Sequence, residues 1–476
     1  MNYNLMNEVK YFNNSTGDVV IITSFFDIDR KNWNRFERDE NYYLDSLKML
    51  LLTEKKLIVF IHDKYIDLDF VKKYNNATFI PINYEWLNKN SESWKKIGIC
   101  EKIMKSNEYI QKLNSRIQIG YPENIYPEYN TINHCKIDFI KYSIDNGLLK
   151  NDDLICWCDS GYYKSILNDK IERYPYSNLD TNKFNHDKLN FCLRNRITNN
   201  DTNLYYTLIN APEVFTGSFF AGTIQSLNRL YTLYHECLDE MYNNNISDDD
   251  QHVYLRCFLK EPGLFELFLS VDKWPQALCY FQKNFNNRFE YINYYISKIK
   301  DGRFAEIGVC SGSLSENILN ANKNCFLYCI DPYLNYDDYD DACKFEVGDI
   351  LYYKTMNKLN TLFPNRTQFV RKFSSDALDI ENNLDFVYID GNHKCKYVLE
   401  DLNNWYNKIK PGGIIICDDA SDVDDNLRDE NGDVFIRWNQ VSFGAYGVIQ
   451  ACKIFTKTLN IPFFKWNNQI LIYKPL

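Results

Sequence analysis

Two hydrophobic periods alternate along this chain, and that alternation constrains the fold more than any other feature. Short β-branched and aromatic runs read as strands: Val19-Val20-Ile21-Ile22-Thr23, Leu57-Ile58-Val59-Phe60-Ile61, Thr78-Phe79-Ile80-Pro81-Ile82 and Leu154-Ile155-Cys156-Trp157-Cys158. Between them, Tyr42 to Leu52 and Lys136 to Asn146 carry apolar residues at helical spacing. Strands that alternate with helices pair mostly in parallel, because a parallel pair needs a crossover connection. After about residue 284 the pattern restarts. A helix-like Phe289 to Ile296 leads into the strand Phe304 to Gly308, and strands follow at Phe326 to Ile330, Phe386 to Ile389 and Ile414 to Cys417. At roughly 150 residues per domain, a chain of 476 residues holds two or three domains. The restart, with no 20–50-residue repeat and no Gly/Ser linker, predicts two docked α/β domains, 1–283 and 284–476, meeting between Asp272 and Asn287.

Composition removes several function classes. Hydrophobic residues at 45% and charged residues at 25% are ordinary for a globular protein, so disorder is not the main description. A net charge of −10 disfavours a nucleic-acid binder working through one basic face. No apolar run approaches the ~18 residues of a membrane span, and the first residues lack the apolar core of a secretory signal. The 15 cysteines include no CxxC pair and many lie in apolar runs, which predicts free thiols in a reducing, cytoplasmic setting. Aromatic residues reach 16%, which reads either as sugar-stacking platforms or as drift toward Asn, Lys, Ile and Tyr. Oligomeric state, a homo-oligomer included, stays open.

In the C-terminal half, Glu306-Ile307-Gly308-Val309-Cys310-Ser311-Gly312-Ser313 ends a strand and enters a helix. Glycines at such a turn let a nucleotide-like cofactor approach backbone amides. Asp331, at the end of the next strand, is placed to accept hydrogen bonds from ribose hydroxyls. The spacing is not GxGxxG, and Glu306 would repel a pyrophosphate while tolerating the sulfonium of S-adenosylmethionine (SAM). Further on, one strand ends in Asp390-Gly391-Asn392-His393 and another in Cys417-Asp418-Asp419. Neighbouring strands present their carboxyl ends at one sheet edge. Asp390, Asp418 and Asp419 are therefore candidate oxygen ligands for Mg²⁺, with His393 as general base.

These segments, with CIDPY and the DGNH–GG–DD spacing, resemble the class I SAM-dependent methyltransferases of the macrocin O-methyltransferase type, over about residues 289 to 476. The resemblance implies a Rossmann-like domain that O-methylates a sugar hydroxyl. It implies that Asp390, Asp418 and Asp419 hold Mg²⁺ against a sugar diol while His393 deprotonates the hydroxyl. Glu306, Gly308, Ser311, Gly312, Ser315, Asp331, Pro332, Tyr333, Ser375, Asp376 and Asp390 are the implied cofactor contacts. The acidic stretch from Asp418 to Asp433 reads either as a lid over the acceptor or as a solvated loop, and Arg437 and Trp438 are weaker acceptor candidates.

In the N-terminal half, the first strand runs into Phe25-Phe26-Asp27-Ile28-Asp29-Arg30, and Trp157-Cys158-Asp159-Ser160-Gly161 stops a strand at a carboxylate. Such a carboxylate can hold a divalent cation on a sugar-nucleotide diphosphate. Trp157 stands where the first Asp of a DxD pair would be, so either Asp159 binds metal with one outside ligand or metal is absent. Phe215 to Gly222 reads as a Gly-flanked aromatic loop, and Ser247 to His252 as a helix cap.

IITSFFDIDR, WCDSGY, FTGSFFAGT and SDDDQHVYL resemble the YibB/HtrL family of glycosyltransferase-like proteins, over about residues 17 to 280. The resemblance implies a GT-A-like domain. Thr23, Ser24, Phe25, Asp27, Arg30, Lys136, Trp157, Asp159, Ser160 and Gly161 would line the nucleotide sugar, with Asp159 as the site for Mn²⁺ or Mg²⁺. Gly217, Asp249, Asp250 and Gln251 would face the glycan acceptor, with Asp250 in a catalytic role. The whole chain then reads as a bifunctional glycan-modifying enzyme. The alternative is a sugar O-methyltransferase whose N-terminal domain only binds glycan or nucleotide.

Overall fold

The structure, a computed structural model, describes residues 18–34, 36–51, 55–74, 77–113, 120–162, 179–269, 281–339, 348–420, 429–438, 442–459, 461 and 463–475, with backbone alone at 269, 434–438 and 442–445. These residues form two compact units that part between Lys283 and Asn284.

The first unit is built on strands β1 (Val19–Phe25), β2 (Lys56–His62), β3 (Ala77–Ile82), β4 (Leu154–Cys158), β5 (Leu189–Leu193), β6 (Phe215–Gly222) and β7 (Phe265–Leu269). Their order in the sheet is β3-β2-β1-β4-β6-β5-β7. Pairs among β3, β2, β1 and β4 are parallel, while β6 runs antiparallel to β4 and β5. Alternate residues of the central strands, such as Val20 and Ile22, Ile58 and Phe60, and Ile155 and Trp157, bury one face. The helices Pro127–Asp145 and Ile224–Asn243 contribute Ile137, Ile140, Leu227, Leu230 and Tyr234 to the same core. The aromatic segment Phe215 to Gly222, expected as a loop, is strand β6. All eight of its residues are buried, which is why it is apolar on both faces.

The second unit is built on β8 (Arg303–Ile307), β9 (Phe326–Ile330), β10 (Thr367–Val370), β11 (Leu384–Ile389), β12 (Ile409–Cys417), β15 (Phe464–Trp466) and β16 (Gln469–Tyr473), ordered β10-β9-β8-β11-β12-β16-β15. A separate hairpin pairs β13 (Val434–Trp438) with β14 (Ser442–Tyr446). The sheet is parallel from β10 to β12 and antiparallel at β16 and β15, a Rossmann-like arrangement. Lys410 to Gly413 lies within β12, where its pairing with β11 shifts register. In both units the chain leaves the first strand on one side and returns on the other. That reversal opens a crevice at the strand carboxyl ends, between β1 and β4 and between β8 and β11.

Candidate functional sites

The second crevice holds a cavity of about 480 Å³. Its wall includes Gly308 and Cys310 after β8, Asp331 and Pro332 after β9, Phe373 to Ser375 after β10, and Asp390 to His393 after β11. Gly308 has φ +85°, and a Cβ there would stand 1.9 Å from the Asp390 carbonyl oxygen. Only glycine lets these two strand ends meet. Asp331 accepts the backbone N–H groups of Val309 (3.0 Å) and Cys310 (2.9 Å) on one oxygen and that of Tyr333 (2.7 Å) on the other. Its carboxylate thus shapes the turn it faces. The Cys310 carbonyl accepts from the Tyr333 hydroxyl (3.0 Å) and from Thr355 (3.1 Å). Cys310, Tyr333 and Asp419 are non-glycine residues at φ 47°, 49° and 55°. Left-handed backbone of this kind costs on the order of 1–3 kcal/mol per residue, and it clusters where surrounding structure holds a functional geometry.

The sequence placed Glu306 against the cofactor, and the structure turns it away. Glu306 is 1% exposed and accepts a hydrogen bond from the Ser315 hydroxyl. Burial pushes its carboxyl up to about 8, so it is largely protonated at neutral pH. Side chains alternate along β8, and Glu306 is one residue out of phase with Ile307, which lines the cavity. Ser315 is equally buried, and Ser311, Gly312, Tyr333 and Asp376 also lie outside the cavity wall. Gly308, Asp331, Pro332, Ser375 and Asp390 line it.

Asp390, His393 and Asp419 bring one donor atom each within 4.8 Å of the others. His393 Nε2 stands 3.3 Å from Asp390 Oδ1 and 3.7 Å from Asp419 Oδ2, and the imidazole stacks on Tyr446 with ring centres 5.0 Å apart. Asp418, expected among the ligands, is not in this cluster. It is 2% exposed and accepts hydrogen bonds from the Arg288 guanidinium and the Gln469 amide. Both residues follow β12, and the left-handed backbone of Asp419 (φ 55°) turns its carboxylate to His393 while Asp418 stays on Arg288 and Gln469. Burial, reinforced by the charge of Asp418, pushes the Asp390 carboxyl upward. The two carboxylates offer hard oxygen donors of the kind a divalent cation takes, with the His393 imidazole beside them. Arg288, 3.6 Å from Asp390 and part of the wall, escaped the sequence reading because it opens a helix far from the motifs. Residues 421–428 of the acidic stretch lie outside the described residues, as do the side chains of Arg437 and Trp438.

The first crevice holds a cavity of about 170 Å³. Ser24, Phe25, Asp27 and Arg30 reach it from the end of β1, and Trp157, Asp159, Ser160 and Gly161 from the end of β4. Lys136 enters from the helix Pro127–Asp145, Gly217 from β6, and Asp249, Asp250 and Gln251 from the start of the helix Asp250–Lys260. Thr23 is the exception. It is fully buried and its hydroxyl has no partner, because β1 alternation points Ser24, not Thr23, toward the cavity.

Lys136 is 5% exposed and sits between two carboxylates, 3.0 Å from Asp159 and 2.8 Å from Asp250, while donating to the Gly217 carbonyl at 3.1 Å. Burial pulls its pKa down, but Asp159 and Asp250 more than offset this and hold it above the ordinary lysine value. Trp157 Nε1 donates to Asp159 at 2.8 Å. A Cβ on Gly217 would stand 2.5 Å from Asp250 Oδ2, so this glycine admits the pair. Asp249 caps its helix by accepting the Gln251 N–H at 3.1 Å. A divalent cation at Asp159 does not fit this arrangement. The Lys136 ammonium already bridges Asp159 to Asp250, and among the described residues Asp159 joins no cluster of three ligating groups. Arg38, Tyr43 and Tyr129 also line the cavity. The sequence carried no signal for them, since they lie in an irregular loop and on helix flanks.

Two α/β units with crevices at their sheet switch points define the class, and comparison with known proteins places the chain within it. The second unit carries a methyltransferase domain: a family model of that description matches residues 305–420. The chain belongs to the HtrL_YibB family, described as bacterial protein of unknown function, whose model matches residues 17–283. Protein HtrL of Escherichia coli (strain K12) is 26% identical over 276 residues, covering 56% of this chain and 92% of that protein. Uncharacterized protein R132 of Acanthamoeba polyphaga mimivirus is 26% identical over 160 residues, 31% of this chain and 67% of that protein. Among solved structures, the SAH-bound Podospora anserina methyltransferase PaMTH1 aligns at 13% identity and a TM-score of 0.28, over 41% of this chain and 80% of its own. An O-methyltransferase family protein from Burkholderia thailandensis aligns at 10% identity and 0.27, over 39% and 56%. No described helix is long and apolar enough to cross a membrane.

Proposed function

We propose that the C-terminal domain is a SAM-dependent O-methyltransferase acting on a sugar hydroxyl, and that the N-terminal domain is a GT-A-like module that binds a nucleotide sugar and transfers its sugar to a glycan. One observation carries the first part: the Asp390/His393/Asp419 cluster opens on the same cavity as the Gly308–Cys310 turn and Asp331. The methyltransferase-domain match supports the methyl donor. Asp331 has lone pairs beyond those used by backbone amides and would accept from ribose hydroxyls. Phe373 and Ser375 would flank the adenine. His393 would take the proton of the hydroxyl to be methylated, held in place by its stacking on Tyr446. Asp390 and Asp419 would hold Mg²⁺, which supplies positive charge that orients a diol and acidifies the hydroxyl.

In the N-terminal domain Asp250 and Gln251 would face the acceptor. The Lys136 bridge also favours a second reading, a binding module without transfer, since it engages both Asp159 and Asp250 and leaves neither as an unpaired base.

Isothermal titration with SAM tests the main reading. Binding that Asp331→Ala weakens by tenfold or more is expected, and no heat with the wild type overturns the methyltransferase assignment of this cavity. For the N-terminal domain, transfer from UDP-, GDP- or dTDP-sugars to glycan acceptors separates enzyme from binding module.

A further inference from the structure

The wall of the N-terminal cavity carries cationic groups in two different settings. Lys136 is neutralised by Asp159 and Asp250. Arg30 and Arg38 stand side by side. Both donate to the phenol oxygen of Tyr43, Arg38 at 3.3 Å, so two guanidinium groups share one uncharged acceptor. Among the described residues neither has a carboxylate within ion-pair distance. The acids nearby are engaged elsewhere: Asp27 pairs with Lys64, and Glu40 accepts from the Tyr65 hydroxyl at 3.1 Å.

Arg30 is only 8% exposed and lies against the rings of Trp33 (4.8 Å) and Tyr129 (5.5 Å). One of its nitrogens donates to the Phe36 carbonyl at 3.2 Å, but its Nε is buried without a partner. The loop that carries both arginines includes Asp29 and Phe36 at φ 60°, and for the bulky Phe36 that conformation is strained. A strained loop thus holds two half-buried like charges together, with an unused donor between ring faces. Leaving them uncompensated is costly, and an anion with several charged oxygens removes the cost. The guanidinium fork matches phosphate oxygens in a bidentate way.

We propose that Arg30 and Arg38 form the diphosphate subsite of the N-terminal cavity, so that a nucleoside diphosphate is held there without a divalent cation at Asp159. The proposal rests on the nucleotide-sugar reading above. It also accounts for the two features that exclude a cation, the indole of Trp157 donating to Asp159 and the Lys136 bridge. Positive charge for the diphosphate then comes from the two arginines of the cavity wall.

The test is isothermal titration of the full chain in EDTA with UDP, GDP, dTDP and inorganic pyrophosphate, comparing wild type with Arg38→Ala. Arg38 is chosen because Arg30 is embedded among rings. Arg38→Gln serves if the alanine variant fails to fold, with thermal unfolding as the check. Binding of a nucleoside diphosphate in EDTA, weakened tenfold or more by the substitution, supports the proposal. Binding that needs Mn²⁺, or that the substitution leaves unchanged, overturns it and leaves the nucleotide-sugar reading standing. Pyrophosphate bound through Arg38 with no gain from any nucleoside upholds the subsite and overturns the nucleotide reading. No binding in any arm, with or without Mn²⁺, overturns both.

Discussion

At the scale of single residues, chemistry depends on where a titratable group points. His393 lies beside two carboxylates and against Tyr446. His393→Ala is expected to keep SAM affinity within about twofold while methyl transfer falls on the order of 10²–10⁴-fold, as for loss of a general base. Stopped assays with labelled SAM measure this, and unchanged turnover would remove the role. Glu306 makes a separate prediction. Its folded pKa is raised from 4.5 to about 8 by burial, so the folded state binds the proton more tightly than the unfolded one. Stability from this group is complete below about 4.5 and is lost as pH rises toward 8. Glu306→Gln should flatten the fall of melting temperature between pH 5 and 8, and parallel slopes in both proteins would refute the assignment. The identity of Glu306 was plain in the sequence, but its inward direction was not. One residue of strand phase separates a cofactor contact from a buried acid.

At the scale of elements, the sites depend on close approaches that glycine permits. Gly308→Ala would drive a Cβ into the Asp390 carbonyl and part the ends of β8 and β11. Loss of SAM binding with a lowered melting temperature is expected, and wild-type affinity in the variant would count against the proposed cofactor path. On the N-terminal side, Lys136→Met would leave the buried Asp250 and the half-buried Asp159 without their cation. Breaking such a pair costs about 3–5 kcal/mol, readable as a lowered urea midpoint. Strand positions were legible because a buried parallel strand is a short apolar run. The hairpin β13–β14 and strand β6 were not read, since an apolar stretch flanked by glycines is ambiguous until its partners are known.

At the scale of the whole molecule, the cysteines report how much of the chain is closed to solvent. Twelve of the thirteen described cysteines are buried, and Cys310 is partly exposed on the cavity of the second unit. Alkylation of the native protein should modify Cys310 ahead of the other described thiols, and saturating SAM should slow that reaction. Mass spectrometry of the labelled peptides decides the outcome. The sequence by itself determined the two-unit α/β plan and most of the residues at the strand carboxyl ends, because hydrophobic period and turn chemistry are local properties. Only the tertiary structure decided which acids share a pole. It grouped Asp419 with Asp390 and His393, put Asp418 on Arg288 and Gln469, spent Lys136 on Asp159 and Asp250, and drew Arg38 next to Arg30. Apart from the two arginines of one loop, those pairings join residues from different elements, and side-chain direction between elements follows from packing that no local pattern encodes.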